Sequence, residues 1–136
     1  MTDTTVIAAE LRRLLGHAHA PFSGVQVAAA VEGADGSVCY GVNVENAAYP
    51  LGQCAEASAI GTAVTQGAAA LRRVWVASSL PGLIWPCGGC RQKIFEFASP
   101  GCEVISVAAN GDTDSRTIEE LLPLGFRLDP AQVRRA

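Results

Sequence analysis

The sequence lacks the residue runs that would assign it to a membrane or to nucleic acid. Its 136 residues are 49% hydrophobic, yet no apolar run approaches the roughly 20 residues that a membrane span needs. It has no cluster of Lys and Arg, and its net charge is −3, so it has no basic patch to neutralise phosphates. Residues 2–5 lack the basic start of a secretory leader. We therefore expect a cytoplasmic protein without membrane or nucleic-acid partners, whose excess apolar surface is buried between subunits.

The sequence also lacks internal repeats, low-complexity segments and linkers, so its length predicts a single domain over residues 1–136, with a loose polar tail at 131–136. The hydrophobic periodicity predicts helices at 6–19, 54–66, 87–98 and 117–122, and strands at 25–32, 38–44, 74–79 and 104–108. An Asp-Gly pair at 35–36 predicts a hairpin between the first two strands. A hairpin followed by alternating strands and helices predicts an α/β fold with three layers, α/β/α, around a mixed central sheet.

The five cysteines are an odd number, which favours reduced thiols over a disulfide framework. Cys87 and Cys90 alone fit a redox pair, a structural zinc half-site or an incidental spacing. Upstream, Cys54 adds a third thiol and Glu56 adds a carboxylate. Three thiolates can hold Zn²⁺ tetrahedrally and leave the fourth position to a water whose pKa the metal lowers. A carboxylate two residues from a ligand can move that water's proton while staying off the metal.

A purely structural zinc site would need a fourth protein ligand. The remaining cysteines lie in or beside predicted strands and are interpreted as small core residues, and the two histidines end the first predicted helix and are interpreted as surface or packing residues. These four residues are Cys39, Cys102, His17 and His19. The pattern therefore favours a catalytic zinc site over a structural one.

Three segments, in this order and spacing, resemble the small homotetrameric zinc-dependent cytidine deaminases of pyrimidine salvage: Gly41–Tyr49, Pro86–Gln92 and Glu119–Phe126. The resemblance covers residues 8–128. It implies a cytidine deaminase-like fold, one Zn²⁺ per chain, and the hydrolysis of cytidine or 2′-deoxycytidine to uridine or 2′-deoxyuridine with release of ammonia. It also implies a homotetramer whose substrate is a free nucleoside.

The resemblance implies roles for residues around the metal. Glu56 would protonate N3 of the base and then pass a proton to the leaving amine. The backbone amide of Ala55 and the carbonyl of Cys87 would orient O2 and the amine. Asn43 and Glu45, two apart on a predicted strand, share a face and would bind the ribose hydroxyls; the alternative is a polar strand face in water.

Two aromatic residues receive further roles from the resemblance. Tyr49 would pack beside the ribose, with core packing as an almost equal alternative. Phe126 would reach into the site of a neighbouring subunit and stack on the base; without the resemblance it is an ordinary buried aromatic residue.

The sequence departs from the family pattern at positions near the predicted site. Ala57 follows Glu56 where the family commonly has Arg, and Arg91 is the nearby cation that we expect to compensate the thiolate charge instead. Val25 replaces a pocket-lining Phe, and Trp85 replaces a small Ser. These departures leave two alternatives open: the same chemistry on a modified cytosine nucleoside or a blasticidin S-like aminoacyl nucleoside, and a non-catalytic zinc-stabilised module that binds a nucleoside or a protein.

Overall fold

A computed structural model describes residues 3–133 of the chain, and within this range it contains one five-stranded sheet with helices around it. The strands are β1 (Val27–Gly33), β2 (Val38–Val42), β3 (Leu71–Ser78), β4 (Ala98–Val107) and β5 (Thr113–Thr117). The helices are α1 (Thr4–Leu15), α2 (Ala55–Thr65), α3 (Gly88–Phe97), α4 (Ile118–Leu121) and α5 (Pro130–Val133), with a 3₁₀ turn at Tyr49–Leu51. Over these residues, no helix combines the length and apolar character needed to cross a membrane.

The strand order is β2-β1-β3-β4-β5. Strands β3 and β4 are parallel, and every other neighbouring pair in the sheet is antiparallel, so the predicted mixed sheet is confirmed. The hairpin between β1 and β2 turns at the predicted Asp-Gly pair, where Gly36 has a φ of 87° that a larger residue rarely adopts. The α3 helix supplies the crossover between the two parallel strands.

Two buried clusters show that helices cover both faces of the sheet, as the sequence predicts. On one face, Ile7 and Leu11 of α1 pack against alternate residues of the central strands, among them Trp75 and Ile105. The opposite face packs against α2, α3 and α4 through a second cluster that includes Ile60, Ile94, Val104 and Ile118. Cys39 and Cys102 are buried in this second cluster, as expected for core residues.

Several parts of the fold differ from the sequence predictions. Strand β5 was not predicted, because its sequence Thr-Asp-Ser-Arg-Thr is polar throughout; its place at the sheet edge explains how a polar segment can form a strand. The first helix ends at Leu15, and His19 instead pairs with Val44 in an isolated bridge. Of the tail predicted for 131–136, residues 131–133 belong to the short exposed helix α5, and residues 134–136 lie outside the described residues.

Candidate zinc and catalytic site

Three thiols meet where two neighbouring helices begin. Cys54 is the N-cap of α2, Cys87 is the N-cap of α3, and Cys90 lies in the first turn of α3. Their three Sγ atoms lie within 4.8 Å of one another, and the Sγ atoms of Cys54 and Cys87 are 3.9 Å apart. Free backbone amides and the positive end of the helix dipole favour the thiolate at such positions. The fold therefore brings the three predicted ligands into one cluster.

The geometry and chemistry of this cluster fit zinc. A tetrahedral Zn²⁺ with Zn–S bonds of about 2.3 Å holds its sulfur atoms about 3.8 Å apart, which is close to the 3.9 Å between Cys54 and Cys87. Soft thiolates favour zinc over magnesium or calcium. Within residues 3–133, these three thiols form the one cluster that could hold a metal ion. The side chain of Cys39 instead contacts Oε1 of Gln66 at 3.3 Å, away from the cluster.

The three thiols differ in how easily they lose their protons. Burial raises the pKa of Cys90, and the charges of Glu56 and Cys54 raise it further; burial also raises the pKa of Cys54. Burial alone would raise the pKa of Cys87, but hydrogen bonds with the Cys90 backbone and with the neighbouring thiols outweigh it, and the pKa of Cys87 lies below its ordinary value. Metal binding therefore has to displace protons from at least the two thiols with raised pKa values.

Glu56 lies in the first turn of α2, and only 4% of its surface is exposed. Burial raises its pKa, while its own backbone amide and the charge of Lys93 act in the opposite direction. The side chain shares a cleft with Cys54 and Cys87. A buried carboxyl group with a raised pKa beside a metal site is suited to accepting and returning a proton near neutral pH.

The close approach of α2 to β2 depends on Gly41. A Cβ at this position would lie 2.3 Å from the backbone nitrogen of Ala59 and 2.7 Å from the carbonyl oxygen of Ala55. Only glycine therefore lets the first turns of α2 rest directly on the strand. That contact sets the position of Cys54 and Glu56 relative to α3 and its two thiols.

The cleft beside the thiols, called the thiol cleft below, has a volume of about 340 Å³, which suits a ligand of nucleoside size. Its lining consists of Val27, Asn43, Glu45, Tyr49, Gly52, Gln53, Cys54, Ala55, Glu56, Ile84, Trp85 and Cys87. Glu45, Tyr49 and Gly52 also line an adjoining cleft of about 390 Å³. Eight of these lining residues were predicted from the sequence to bind substrate, to shuttle protons or to hold the metal: Asn43, Glu45, Tyr49, Cys54, Ala55, Glu56, Trp85 and Cys87.

Asn43 and Glu45 both line the thiol cleft, although they follow β2 rather than lying in it. The amide of Asn43 bridges two backbone groups before and in β1, accepting from the nitrogen of Val27 at 2.8 Å and donating to the carbonyl of Val25 at 2.9 Å. Glu45 accepts hydrogen bonds from the 22–23 loop, both from backbone amides at 3.0 Å and from the hydroxyl of Ser23. The Ser23 hydroxyl is the main cause of the lowered pKa of Glu45.

Of the three predicted substrate contacts Tyr49, Phe126 and Val25, only Tyr49 lines the thiol cleft. Tyr49 lines both clefts, is 76% exposed and contacts Phe22 edge to face at 5.9 Å, so within one chain it is not a core residue. Phe126 is 66% exposed and does not line the thiol cleft of its own chain; its stacking in a neighbouring subunit stays a prediction. Val25, which precedes β1, is absent from the cleft lining, whereas Val27 inside the strand lines it.

Trp85 lines the thiol cleft beside Ile84 and Cys87, as the sequence predicts. Arg91 makes contacts that the sequence does not predict: its guanidinium donates to the carbonyl of Pro86 at 2.7 Å and to the carbonyl of Leu121 at 3.0 Å. Those bonds fix the loop before Cys87 to the end of α4. The proposed compensation of thiolate charge by Arg91 stays a prediction.

Four lining residues were not predicted from the sequence. Gly52 and Gln53 directly precede the first zinc ligand, so their proximity to it in the chain was an available signal. Val27 carried no signal, because an apolar residue in a predicted strand is interpreted as a core position. Ile84 carried none either, because it is an apolar residue in the loop between β3 and α3.

Comparison with known proteins assigns the family. The sequence profile of the cytidine and deoxycytidylate deaminase zinc-binding region matches residues 3–108. The cytidine deaminase of Sporosarcina psychrophila is 35% identical over 91% of each chain, and that of Mycoplasma pneumoniae is 40% identical over 87% of this chain and 90% of its own. The crystal structure of cytidine deaminase from Burkholderia pseudomallei superposes with a TM-score of 0.86 at 34% identity, covering 92% of this chain and 100% of that chain.

The fold and the thiol cluster thus define a zinc-binding deaminase of the α/β/α type. The chain belongs to the cytidine and deoxycytidylate deaminase family. The resemblance to zinc-dependent cytidine deaminases is confirmed, as are the fold class and the zinc cofactor, while the homotetramer stays a prediction.

Proposed function

We propose that this protein is a cytidine deaminase of pyrimidine salvage that acts on cytidine and 2′-deoxycytidine. The observation that carries the proposal is the buried carboxyl group of Glu56 beside three converging thiols, in a cleft of nucleoside size. In the reaction, water adds to C4 of the base, the C4–N4 bond breaks, and ammonia leaves. The products are uridine or 2′-deoxyuridine.

The chain's own residues account for the proton transfers. When the three thiolates bind it, zinc supplies the Lewis acid that activates water near neutral pH. Glu56 accepts a proton from that water and delivers one to N3 of the base, which makes C4 more electrophilic. The same carboxyl group then carries a proton to the departing amine. Its burial supports this role, because a desolvated carboxyl group holds a proton at higher pH than an exposed one.

The polar groups of the cleft support a nucleoside as the substrate. Asn43 and Glu45 are held at its edge by backbone hydrogen bonds, and each retains free hydrogen-bonding capacity for ribose hydroxyls. The amide of Ala55 and the carbonyl of Cys87 are proposed to orient the base. Among the described residues, neither the thiol cleft nor the adjoining cleft is lined by Lys or Arg. A nucleotide phosphate would therefore meet the carboxylate of Glu45 without a compensating cation.

The exposed aromatic residues support a homo-oligomer, which we propose to be a tetramer. Tyr49 and Phe126 are large apolar residues left 76% and 66% exposed in the single chain. Burial of such residues between subunits would remove this surface from water, and Phe126 would then stack on the base bound by a neighbour. We further propose a cytoplasmic location, since the zinc ligands require reduced thiols.

A screen of purified zinc-loaded protein tests the proposed function. The panel contains cytidine, 2′-deoxycytidine, deoxycytidine monophosphate and blasticidin S, with ammonia release and the ultraviolet change of the base as readouts. We expect turnover of the two nucleosides and at least about tenfold lower kcat/KM for the monophosphate. Preferred turnover of blasticidin S would favour the aminoacyl nucleoside alternative. Absence of turnover on all four, with zinc bound, would favour the non-catalytic binding module.

A further inference from the structure

Trp85 is close to the thiol cluster both in the chain and in the cleft. It is half-buried, it lines the thiol cleft, and it is separated from the zinc ligand Cys87 only by Pro86. The carbon that reacts has to come within bonding distance of a water held at the thiol cluster. Because Trp85 and the thiols line the same cleft, a base whose C4 reaches the thiol cluster has to lie beside Trp85. Asn43 and Glu45, in contrast, follow β2 and supply the hydrogen-bonding groups proposed for the sugar.

The backbone before Trp85 is fixed by a buried hydroxyl group in the sheet. Ser106 of β4 is 0% exposed, and its hydroxyl accepts a hydrogen bond from the backbone nitrogen of Ile84 at 3.0 Å and donates one to the carbonyl of the same residue. One side chain thus satisfies both backbone groups of the residue that precedes Trp85. Such a paired contact inside a protein fixes the local chain direction, because losing it would leave two partly buried groups unpaired.

The ring itself is held from the sheet edge. The guanidinium of Arg116 in β5 lies 5.7 Å from the centre of the Trp85 ring. Arg116 is in turn held by the carboxylate of Asp114 at 2.6 Å. In the antiparallel register Asp114 pairs with Ser106 and Arg116 pairs with Val104, and directly opposed residues share one face of a sheet. Ser106, which bonds Ile84, and Arg116, which contacts the Trp85 ring, therefore lie on the same face of the neighbouring strands β4 and β5.

From these contacts we propose that Trp85, held in place by Ser106 and Arg116, is the specificity-determining wall of the base site. The wall excludes cytosine nucleosides that carry an alkyl group on N4, the amine that leaves, or on C5, the ring carbon bonded to C4. Ser106 and Arg116 are positioning residues that act through Trp85. The inference rests on the proposed function, since it concerns which cytosine nucleosides the same site accepts.

Two facts favour exclusion over tolerance of larger substrates. Val25, the smaller residue whose replacement of Phe would have opened space, is not part of the cleft lining. A flexible wall could move aside for an added methyl group, but the backbone before this wall is fixed through Ile84, and Trp85 packs against the buried cluster on that face and contacts Arg116. A hydrophobic pocket that lacks room for one methyl group discriminates by roughly 10–200-fold.

The experiment measures kcat/KM for cytidine, 5-methylcytidine and N4-methylcytidine with the zinc-loaded protein. We expect wild type to prefer cytidine over at least one methylated substrate by tenfold or more, and Trp85→Ser to reduce that preference about tenfold. Trp85→Phe keeps an aromatic side chain at the wall and should retain most of the preference for cytidine. If the serine variant does not fold, the kcat/KM ratios of the phenylalanine variant still test the wall. Leu83→Ser changes an exposed residue of the same loop outside the cleft and should leave the ratio unchanged.

A double-mutant cycle tests the positioning role. Ser106→Ala should reduce the preference about threefold in wild type and should have no further effect in the Trp85→Ser protein, because its effect passes through Trp85. A purely structural role of Ser106 would lower kcat/KM on all substrates alike and leave the ratio unchanged, which would overturn the proposal for Ser106.

The wall itself is refuted if active wild type turns over all three nucleosides within threefold of one another. It is also refuted if Trp85→Ser, still active on cytidine, moves neither ratio by threefold. Absence of cytidine turnover by the zinc-loaded wild type would instead contradict the proposed function.

Discussion

The dependence of the site on Gly41 leads to a prediction whose size follows from the structure. In Gly41→Ala, the new methyl group would lie 2.3 Å from the nitrogen of Ala59, 2.7 Å from the carbonyl oxygen of Ala55 and 2.8 Å from the carbonyl carbon of Ser58. Real Cβ contacts are essentially never shorter than 3.0 Å and ordinary contact begins at 3.4 Å, so α2 and β2 have to separate by at least 0.7 Å (3.0 − 2.3) and by 1.1 Å (3.4 − 2.3) to restore ordinary contact. All three contacted atoms belong to the helix backbone, so no side-chain rotation relieves the clash.

The separation should damage stability and activity together. Overpacking typically costs about 1–3 kcal/mol, and we expect the upper end here because the clash is with backbone. The moved helix carries Glu56 and begins at Cys54, whereas the other two thiols stay on α3. A displacement of about 1 Å at a catalytic group can reduce the rate by about 10²-fold. We therefore expect Gly41→Ala to lose about 3 kcal/mol of unfolding free energy, part of its zinc, and about 10²-fold in kcat/KM.

Urea denaturation, metal analysis and steady-state kinetics on cytidine measure these three effects. Gly16→Ala is the matched control: Gly16 is the C-cap of α1 and has a φ of −66° that alanine readily adopts, and its added methyl group would meet nothing closer than 3.9 Å. It should change the unfolding free energy by no more than about 0.5 kcal/mol. If Gly41→Ala stayed within about 1 kcal/mol of wild type and kept its zinc and its activity, the assigned role of this contact would be wrong.

Two further predictions concern the metal and the assembly. The purified protein should hold about one zinc per chain by metal analysis. Serine substitution at any of the three proposed ligands, Cys54, Cys87 or Cys90, should release the zinc. Serine substitution at the core cysteines Cys39 or Cys102 should not. Equal zinc loss at a core cysteine would show that the ligand set is wrong. Light scattering should show an oligomer, and Phe126→Ala should lower kcat/KM if that ring completes a neighbouring site; a fully active monomer would contradict the shared site.

The cluster of three thiols could be predicted from the sequence because its information is local. Cys87 and Cys90 sit three residues apart at a helix start, and Cys54 starts another helix, so two short segments fix most of the geometry. Glu56 follows from its spacing to Cys54 on the same helix. The layer order of the fold was also predictable, because a hairpin followed by strand–helix alternation has few right-handed solutions.

Other features depend on contacts between distant segments, which a single sequence does not reveal. Ser106 lies in an apolar strand and gives no sign that its hydroxyl bonds the residue before Trp85. The position of Arg91 directly after Cys90 gives no sign that its guanidinium also bonds the backbone carbonyls of Pro86 and Leu121. The polar strand β5 lacks the hydrophobic alternation that identifies strands, because it packs only at the edge of the sheet.

The kcat of Glu56→Ala, measured on cytidine with zinc content determined on the same sample, tests the central claim most directly. The substitution leaves all three thiolate ligands in place, so we expect zinc to remain bound at about one per chain. Because general acid–base groups contribute about 10²–10⁴-fold and Glu56 serves more than one proton transfer, kcat should fall by at least about 10²-fold. A variant that holds zinc and keeps more than about a tenth of the wild-type kcat would contradict the assignment of Glu56 as the proton shuttle.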